Sequence, residues 1–154
     1  MVIKMEKNKT IIKIKKLYPN AIIPSYGSDS AAGADLYALL DNDLIINPGV
    51  TFLIHTGIAV EIPNGMVGLV YARSGLSTKK GLAPANKVGV IDSDYRGEIM
   101  ISLYNQSDEP QTISNGERIA QLVITPYITA SFEETEELSD TKRGKGGFGS
   151  TGQK

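Results

Sequence analysis

The stretch "TFLIHTGIAVEIPNGMVGLVYA", residues 51–72, contains two runs rich in β-branched residues on either side of the turn Pro63-Asn64-Gly65. Proline, asparagine and glycine in succession are typical of a tight turn, whereas Ile, Val, Thr and Tyr favour strands. Similar runs recur as "EIMISLY" and "RIAQLVI", and another turn signal lies at Asn115-Gly116. The pattern predicts an all-β protein made of short strands.

The rest of the chain agrees with one β domain. Only residues 74–80, "SGLSTKK", favour a short helix, and no internal repeat is present. A chain of 154 residues is long enough for one hydrophobic core. Many short strands separated by regular turns favour a β-sandwich or barrel.

Composition excludes several classes of function. The chain has no cysteine, which excludes disulfides and thiolate chemistry, and His55 is its only histidine. The net charge of −1 argues against general nucleic-acid binding. The Lys-rich N-terminus lacks the continuous apolar run of a signal peptide, and no stretch has the apolar length of a membrane span. We therefore expect a cytoplasmic protein.

The stretch "KVGVIDSDYRGEIMIS", residues 87–102, places Asp92 directly behind an apolar strand. We expect that position to bury the carboxylate, which is costly unless the group is bonded. Asp92 therefore either caps a turn or is held in place for chemistry. Asp94, two residues later, is interpreted as the turn cap.

Two further stretches suit a phosphorylated ligand. "ARSGLS" (72–77) places Arg73 and Ser74 before the short helix, where free N–H groups attract anions; a capping serine with a solvated arginine is the alternative. "AGADLYA" (32–38) places Asp35 at the start of a strand, where it either satisfies turn N–H groups or helps hold Mg²⁺ beside substrate phosphates.

The C-terminal stretch "TKRGKGGFGSTGQK" (141–154) has no apolar pattern and contains five glycines. Taken alone, it is typical of a disordered tail. Its hydroxyls and unhindered N–H groups could also wrap an anion if another part of the protein held it.

Five segments in this order resemble the five sequence motifs of the trimeric dUTP pyrophosphatases (dUTPases). They are "AGADLYA", "ARSGLS", "GVIDSDYRGE", "GERIAQLVI" and "RGKGGFGSTG". The resemblance implies a homotrimer of jelly-roll-like subunits whose active sites are shared between subunits. The implied reaction is hydrolysis of dUTP to dUMP and pyrophosphate with Mg²⁺, which keeps uracil out of DNA and supplies dUMP for dTMP synthesis.

The resemblance also implies roles for individual residues. Asp92 corresponds to the base that activates water at the α-phosphorus, Tyr95 to the residue that excludes a 2′-hydroxyl, and Asp35 to a Mg²⁺ contact through water. The other expected substrate-binding residues are Arg73, Ser74, Gly75, Asn86, Val90, Ile91, Met100, Gln121, Arg143, Phe148, Gly149, Ser150 and Thr151.

The same resemblance divides the chain into a β-domain, residues 1–138, and an arm, residues 139–154, that closes over an active site. From the arm, Arg143 is expected at the γ-phosphate and Phe148 against uracil. A hairpin spanning Gly81–Ile91 corresponds to the uracil pocket.

The sequence has two alternatives to the dUTPase interpretation. A dCTP deaminase shares the fold superfamily, but its chemistry needs a glutamate and arginine set instead of the Asp-x-x-Tyr pattern and the Gly-rich arm. A nucleotide-sensing protein whose hydrolysis is incidental also fits the sequence, since nothing in it excludes a protein partner.

Overall fold

The computed structural model describes residues 9–147, and residues 1–8 and 148–154 lie outside the described part. Within it, eleven strands and one helix follow one another along the chain. The elements are β1 (Lys13–Lys16), β2 (Ser25–Tyr26), β3 (Ala34–Tyr37), β4 (Leu44–Ile46), β5 (Thr51–Glu61), β6 (Met66–Tyr71), α1 (Ser74–Lys80), β7 (Leu82–Pro84), β8 (Val88–Ile91), β9 (Glu98–Asn105), β10 (Gln111–Ile113) and β11 (Arg118–Pro126).

The strands form two main antiparallel sheets and a two-stranded ribbon. One sheet has the order β1-β5-β9-β7, the other β2-β3-β11-β6-β8, and β10 pairs with β4. Side chains from both sheets, such as Ile54 and Leu103 from the first and Leu36 and Ile119 from the second, belong to one buried core. The sheets remain open, so the predicted all-β fold is confirmed as a sandwich and not a closed barrel.

Local signals located the turn and helix in the middle of the chain correctly. Gly65 has φ +80°, a left-handed conformation that glycine adopts without steric cost, at the turn between β5 and β6. The helix α1 covers the expected residues and ends at Gly81, whose φ of 64° forms a left-handed cap.

The predicted hairpin over Gly81–Ile91 is wrong in its pairing. Its two strands belong to different sheets, because β7 pairs with β9 and β8 pairs with β6. The chain passes from one sheet to the other in the tight turn at Asn86, where the Val88 amide donates to the Asn86 carbonyl at 2.7 Å. The segment therefore joins the two layers of the sandwich.

The last strand ends at Pro126, and residues 127–147 form no helix or strand. The predicted boundary at residue 138 thus lies within an exposed segment without helix or strand, and the division into domain and arm stays a prediction. No helix within residues 9–147 is long and apolar enough to cross a membrane.

Candidate functional site

A cavity of about 340 Å³ lies where β8 faces the start of β9, and we call it the Asp92 cavity. Six of the predicted site residues line it, which brings together most of those expected around uracil, the sugar and the attacking water. They are Asn86, Val90, Ile91, Asp92, Tyr95 and Met100.

The sequence predicted a buried Asp92, and this prediction is wrong. The structure places Asp92 in an exposed position. Side chains alternate along β8, so the buried Ile91 faces the core and the next residue, Asp92, faces the cavity. The Tyr95 amide donates to the Asp92 carbonyl at 3.1 Å and closes the turn that follows. The carboxylate therefore escapes most of the desolvation cost and remains accessible to a ligand.

The backbone of β8 forms one wall of this cavity. β8 is an edge strand of its sheet, with β6 as its neighbour. Along one side an edge strand presents N–H and C=O groups that are free to bind a ligand. The exposed Val90 and the buried Gly89 lie in this segment, and a side chain at Gly89 would crowd the Asn86 amide and Val70. The wall suits a flat ligand that is read by backbone groups.

A second cavity, of about 200 Å³, contains five other predicted residues, and we call it the arginine cavity. Its predicted members are Asp35, Arg73, Ser74, Gly75 and Gln121. Strand register explains their convergence, because Gln121 on β11 pairs with Asp35 on one side and with Tyr71 on the other. The Asp92 cavity and the arginine cavity share no lining residue.

Two guanidinium groups converge on one carboxylate in the arginine cavity. Asp35 is buried and accepts from Arg73 Nε at 2.7 Å, while Arg118 Nη1 lies 3.4 Å from its other oxygen. Two cations against one anion leave a positive charge, and guanidinium groups suit phosphate oxygens. The arrangement can therefore hold an anion.

The start of α1 adds polar groups to this cavity. Arg73 is the N-cap residue in an extended conformation, and no side chain caps the helix, so the structure does not bear out a capping serine. Gly75 has open space around it. Gln121 Nε2 donates to the carbonyl of Ala72 at 2.8 Å and so ties β11 to the chain just before Arg73.

The predicted arm is described only as far as Gly147. Arg143 is exposed and its Nε donates to the Gly146 carbonyl at 2.8 Å, within a local turn. The other predicted residues of the arm lie outside the described residues, namely Phe148, Gly149, Ser150 and Thr151.

The dUTPase family model matches residues 19–152. The chain belongs to the dUTPase family. It is 53% identical over 131 residues to a deoxyuridine 5′-triphosphate nucleotidohydrolase of Desulfitobacterium hafniense, covering 84% of this chain and 87% of the relative. A relative from Syntrophotalea carbinolica is 49% identical, with 94% and 99% covered. A Staphylococcus bacteriophage 80alpha dUTPase with dUPNHPP has a TM-score of 0.84 and 32% identity, covering 94% of this chain and 99% of that one.

Family membership confirms the prediction of a dUTP diphosphatase, while the roles of single residues stay predictions. The sequence interpretation missed two residues of this dUTPase that the structure places at the cavities. Arg118 lines the arginine cavity, and Glu98 lines the Asp92 cavity. Arg118 stands within the quoted segment "GERIAQLVI", so its charge three residues before Gln121 was an available signal.

In the described part of this dUTPase, few side chains are arranged to bind Mg²⁺ directly. A dUTPase from phage phi11 of S. aureus, with a TM-score of 0.72 and 28% identity over 83% of this chain and 98% of that one, is described with a structural Mg(II) ion. Residues 9–147 here contain no group of three or more His, Cys, Asp or Glu that could hold a metal. Both oxygens of Asp35 already face arginines. The donors fit a Mg²⁺ held mainly by phosphates and water, with Asp35 as an outer contact.

Proposed function

We propose that this protein hydrolyses dUTP to dUMP and pyrophosphate in a homotrimer whose active sites combine residues of different subunits. The division of the predicted site between two cavities supports this proposal most directly. The Asp92 cavity has the candidate base but no cation among its lining residues, whereas the arginine cavity has cations but no free carboxylate among its own. A triphosphate ester needs both, and a second copy of the chain can supply the missing half.

The segment after β11 supports an assembly. Ile128 is 95% exposed and Phe132 is 96% exposed, in a stretch without helix or strand. Large apolar side chains that are exposed in a segment without secondary structure suit a contact surface. The segment is therefore suited to pack on a neighbouring subunit, from which the arm would continue to that neighbour's site.

Uracil and deoxyribose are assigned to the Asp92 cavity. The free edge of β8 offers alternating N–H and C=O groups, which match the donor and acceptors of uracil. Tyr95 is 43% exposed and lines the same cavity, where its ring can lie against the sugar and leave no room for a 2′-hydroxyl. A volume of about 340 Å³ is sufficient for a nucleoside.

The chemical step is assigned to Asp92. Its carboxylate takes a proton from a water molecule while the water oxygen bonds to the α-phosphorus. The bond from that phosphorus to the oxygen bridging the α- and β-phosphates breaks, and pyrophosphate leaves. A positioned general base contributes about 10²–10⁴ in rate. The remaining acceleration comes from holding the triphosphate in line and stabilising charge on its oxygens.

The arginine cavity of a neighbouring subunit would bind the phosphates. Arg73 and Arg118 are positioned by Asp35, while Ser74 and the open backbone at Gly75 contribute donors. Mg²⁺ bound beside these groups would withdraw charge from the phosphate oxygens. Removing dUTP and producing dUMP would keep uracil out of DNA and supply dTMP synthesis.

Mixed trimers test the proposal. Asp92→Asn removes the base and Arg73→Gln removes a phosphate ligand, so each variant alone should lose most of its pyrophosphate release. Refolding the two together should make roughly a quarter of the sites complete if base and arginine come from different subunits. The double variant Asp92→Asn/Arg73→Gln, refolded with Asp92→Asn, is the control that should recover nothing.

Size exclusion and native mass spectrometry would verify that mixed trimers form. Recovery in the first mixture and none in the control supports a shared site. No recovery in verified mixed trimers would show that one subunit supplies both groups. A wild-type protein that releases no pyrophosphate from dUTP would overturn the proposed activity itself.

A further inference from the structure

We infer that His55 and Glu98 form a positioning pair that fixes Tyr95 and thereby sets the discrimination between dUTP and UTP. The inference rests on the sugar-excluding role proposed for Tyr95. Neither residue was singled out for a role in the site by the sequence motifs. One chain of contacts leads from a bulge in β5 to the tyrosine hydroxyl.

The chain of contacts begins where the pairing of β5 with β9 is interrupted. His55 lies opposite Met100, but Ala59 lies opposite Glu98, so β5 contains extra residues between two paired positions. Such a bulge leaves backbone groups outside the regular ladder. Gly57 lies in this bulge with φ +72°. Its backbone N–H, which is outside the strand ladder, donates to Glu98 Oε1 at 2.8 Å.

The bulge is held tightly from the other side. A Cβ atom at Gly57 would come within 2.6 Å of the Leu39 side chain and 2.8 Å of Ala21. The Thr56 hydroxyl also donates to the backbone carbonyl of Ile99. Because packing fixes the bulge, the acceptor for the Gly57 amide must stay in one place.

His55 contacts the second carboxylate oxygen of Glu98. Its Nδ1 lies 2.9 Å from Glu98 Oε2, within hydrogen-bond distance. The Glu98 side chain is 13% exposed and the His55 side chain 55% exposed. A carboxylate this buried is costly without partners, and the imidazole and the glycine amide satisfy one oxygen each.

The backbone of Glu98 holds Tyr95. The Tyr95 hydroxyl donates to the Glu98 carbonyl at 2.9 Å, its one side-chain hydrogen bond within residues 9–147. The hydroxyl end of the tyrosine ring lies against Gly97, where a Cβ would be 2.6 Å from the ring carbon Cζ. The position of the ring therefore depends on two features. Gly97 has no side chain that would displace the ring, and the Glu98 carbonyl binds its hydroxyl.

These contacts connect one strand to the sugar site. A change that releases the Glu98 carboxylate frees the first residue of β9, which carries the carbonyl that anchors Tyr95. If the tyrosine ring is held less firmly in position, the site should accept a substrate with a 2′-hydroxyl more readily. The expected consequence is weaker discrimination, with a smaller effect on dUTP turnover itself.

The test is the ratio of kcat/KM for dUTP to kcat/KM for UTP. Glu98→Ala should lower this ratio by about tenfold, as loss of one well-placed hydrogen bond would. Glu98→Gln keeps an acceptor for the Gly57 amide, so this variant should keep most of the wild-type ratio. His55→Ala should give a smaller change in the same direction as Glu98→Ala.

Two further variants separate positioning from general stabilisation. Tyr95→Phe removes the hydroxyl alone, and combining it with Glu98→Ala should change the ratio no more than the larger single effect, because both act on one contact. Glu117→Ala is the matched control: Glu117 also binds a backbone amide, of Ser114, and a basic side chain, of Lys80. It should leave the ratio unchanged.

A lower melting temperature for Glu98→Ala with an unchanged ratio would overturn the inference and leave the proposed function intact. So would full additivity with Tyr95→Phe. If Tyr95→Ala also leaves the ratio unchanged, the sugar role of Tyr95 fails while dUTP hydrolysis stands, and the inference fails with that role.

Discussion

The side-chain amide of Gln121 donates a 2.8 Å hydrogen bond to the carbonyl of Ala72, so β11 fixes the residue that immediately precedes Arg73. On its other side the Gln121 oxygen lies against Gly33, where a Cβ atom would collide with it. The conformation of Gln121, and through it the approach to the arginine cavity, therefore depends on the absence of a side chain at Gly33.

Gly33→Ala should displace Gln121 and destabilise the protein by about 1–3 kcal/mol, since overpacking forces neighbours to move. Activity towards dUTP should fall as well. Gly27→Ala is the control, because Gly27 lines the same cavity with open space around it. Thermal melting and pyrophosphate release would be measured on both. Equal behaviour of the two variants would contradict the crowding seen at Gly33.

Asp92→Asn should lower kcat by about two to four orders of magnitude, because the shape is kept and the base is lost. Binding of a non-hydrolysable dUTP analogue should change much less, since the phosphate ligands remain. Asp94→Asn serves as the comparison and should leave kcat nearly intact. If both substitutions behave alike in kcat and calorimetric binding, the roles assigned within "IDSDY" are wrong.

Lys87 has φ 65°, the one non-glycine residue with positive φ in the described chain, at the turn between β7 and β8. A β-branched side chain is poorly tolerated there, so Lys87→Val should lower the free energy of unfolding by about 1–2 kcal/mol. Lys87→Gly should be at least as stable as the parent. Urea denaturation checks the order, and a valine variant as stable as the glycine variant would exclude strain at this turn.

Chelation should slow hydrolysis without destabilising the free protein. The described residues offer no cluster of metal-binding side chains, so Mg²⁺ is expected to arrive with the nucleotide. EDTA should therefore reduce kcat/KM for dUTP, and added Mg²⁺ should restore it. Without nucleotide, EDTA should leave the melting temperature unchanged. A clear drop in that temperature would instead indicate a metal bound by the protein alone.

Deletion of residues 142–154 should abolish most activity while the fold persists. The removed part includes Arg143 and the predicted arm residues, and each well-placed transition-state donor contributes about 10²–10³ in rate. The core should be unaffected, since the last strand ends at Pro126. Size exclusion and thermal melting would accompany the assay. A truncated chain with full activity would show that the tail has no catalytic role.

Much of the site was predictable because its motifs are short and contiguous. "ARSGLS" and "GVIDSDYRGE" each contain several residues that the fold brings to one cavity, and adjacent residues stay close whatever the tertiary structure. Arg118 was missed although it lies in a quoted motif, because its relevance depends on its approach to Asp35, a residue 83 positions away in the chain.

The sequence by itself determined the all-β class and the places of the turns and helix, since period-two alternation and turn chemistry act over a few neighbouring residues. It also determined the family, because the five motifs follow one another in order along the chain. Tertiary structure alone decided that β7 and β8 belong to different sheets and that Asp92 faces a cavity. It also decided that Glu98 meets His55 across 43 residues. The strand with which each strand pairs, and the register of that pairing, depend on which faces of distant strands can be buried together. This choice involves the whole core.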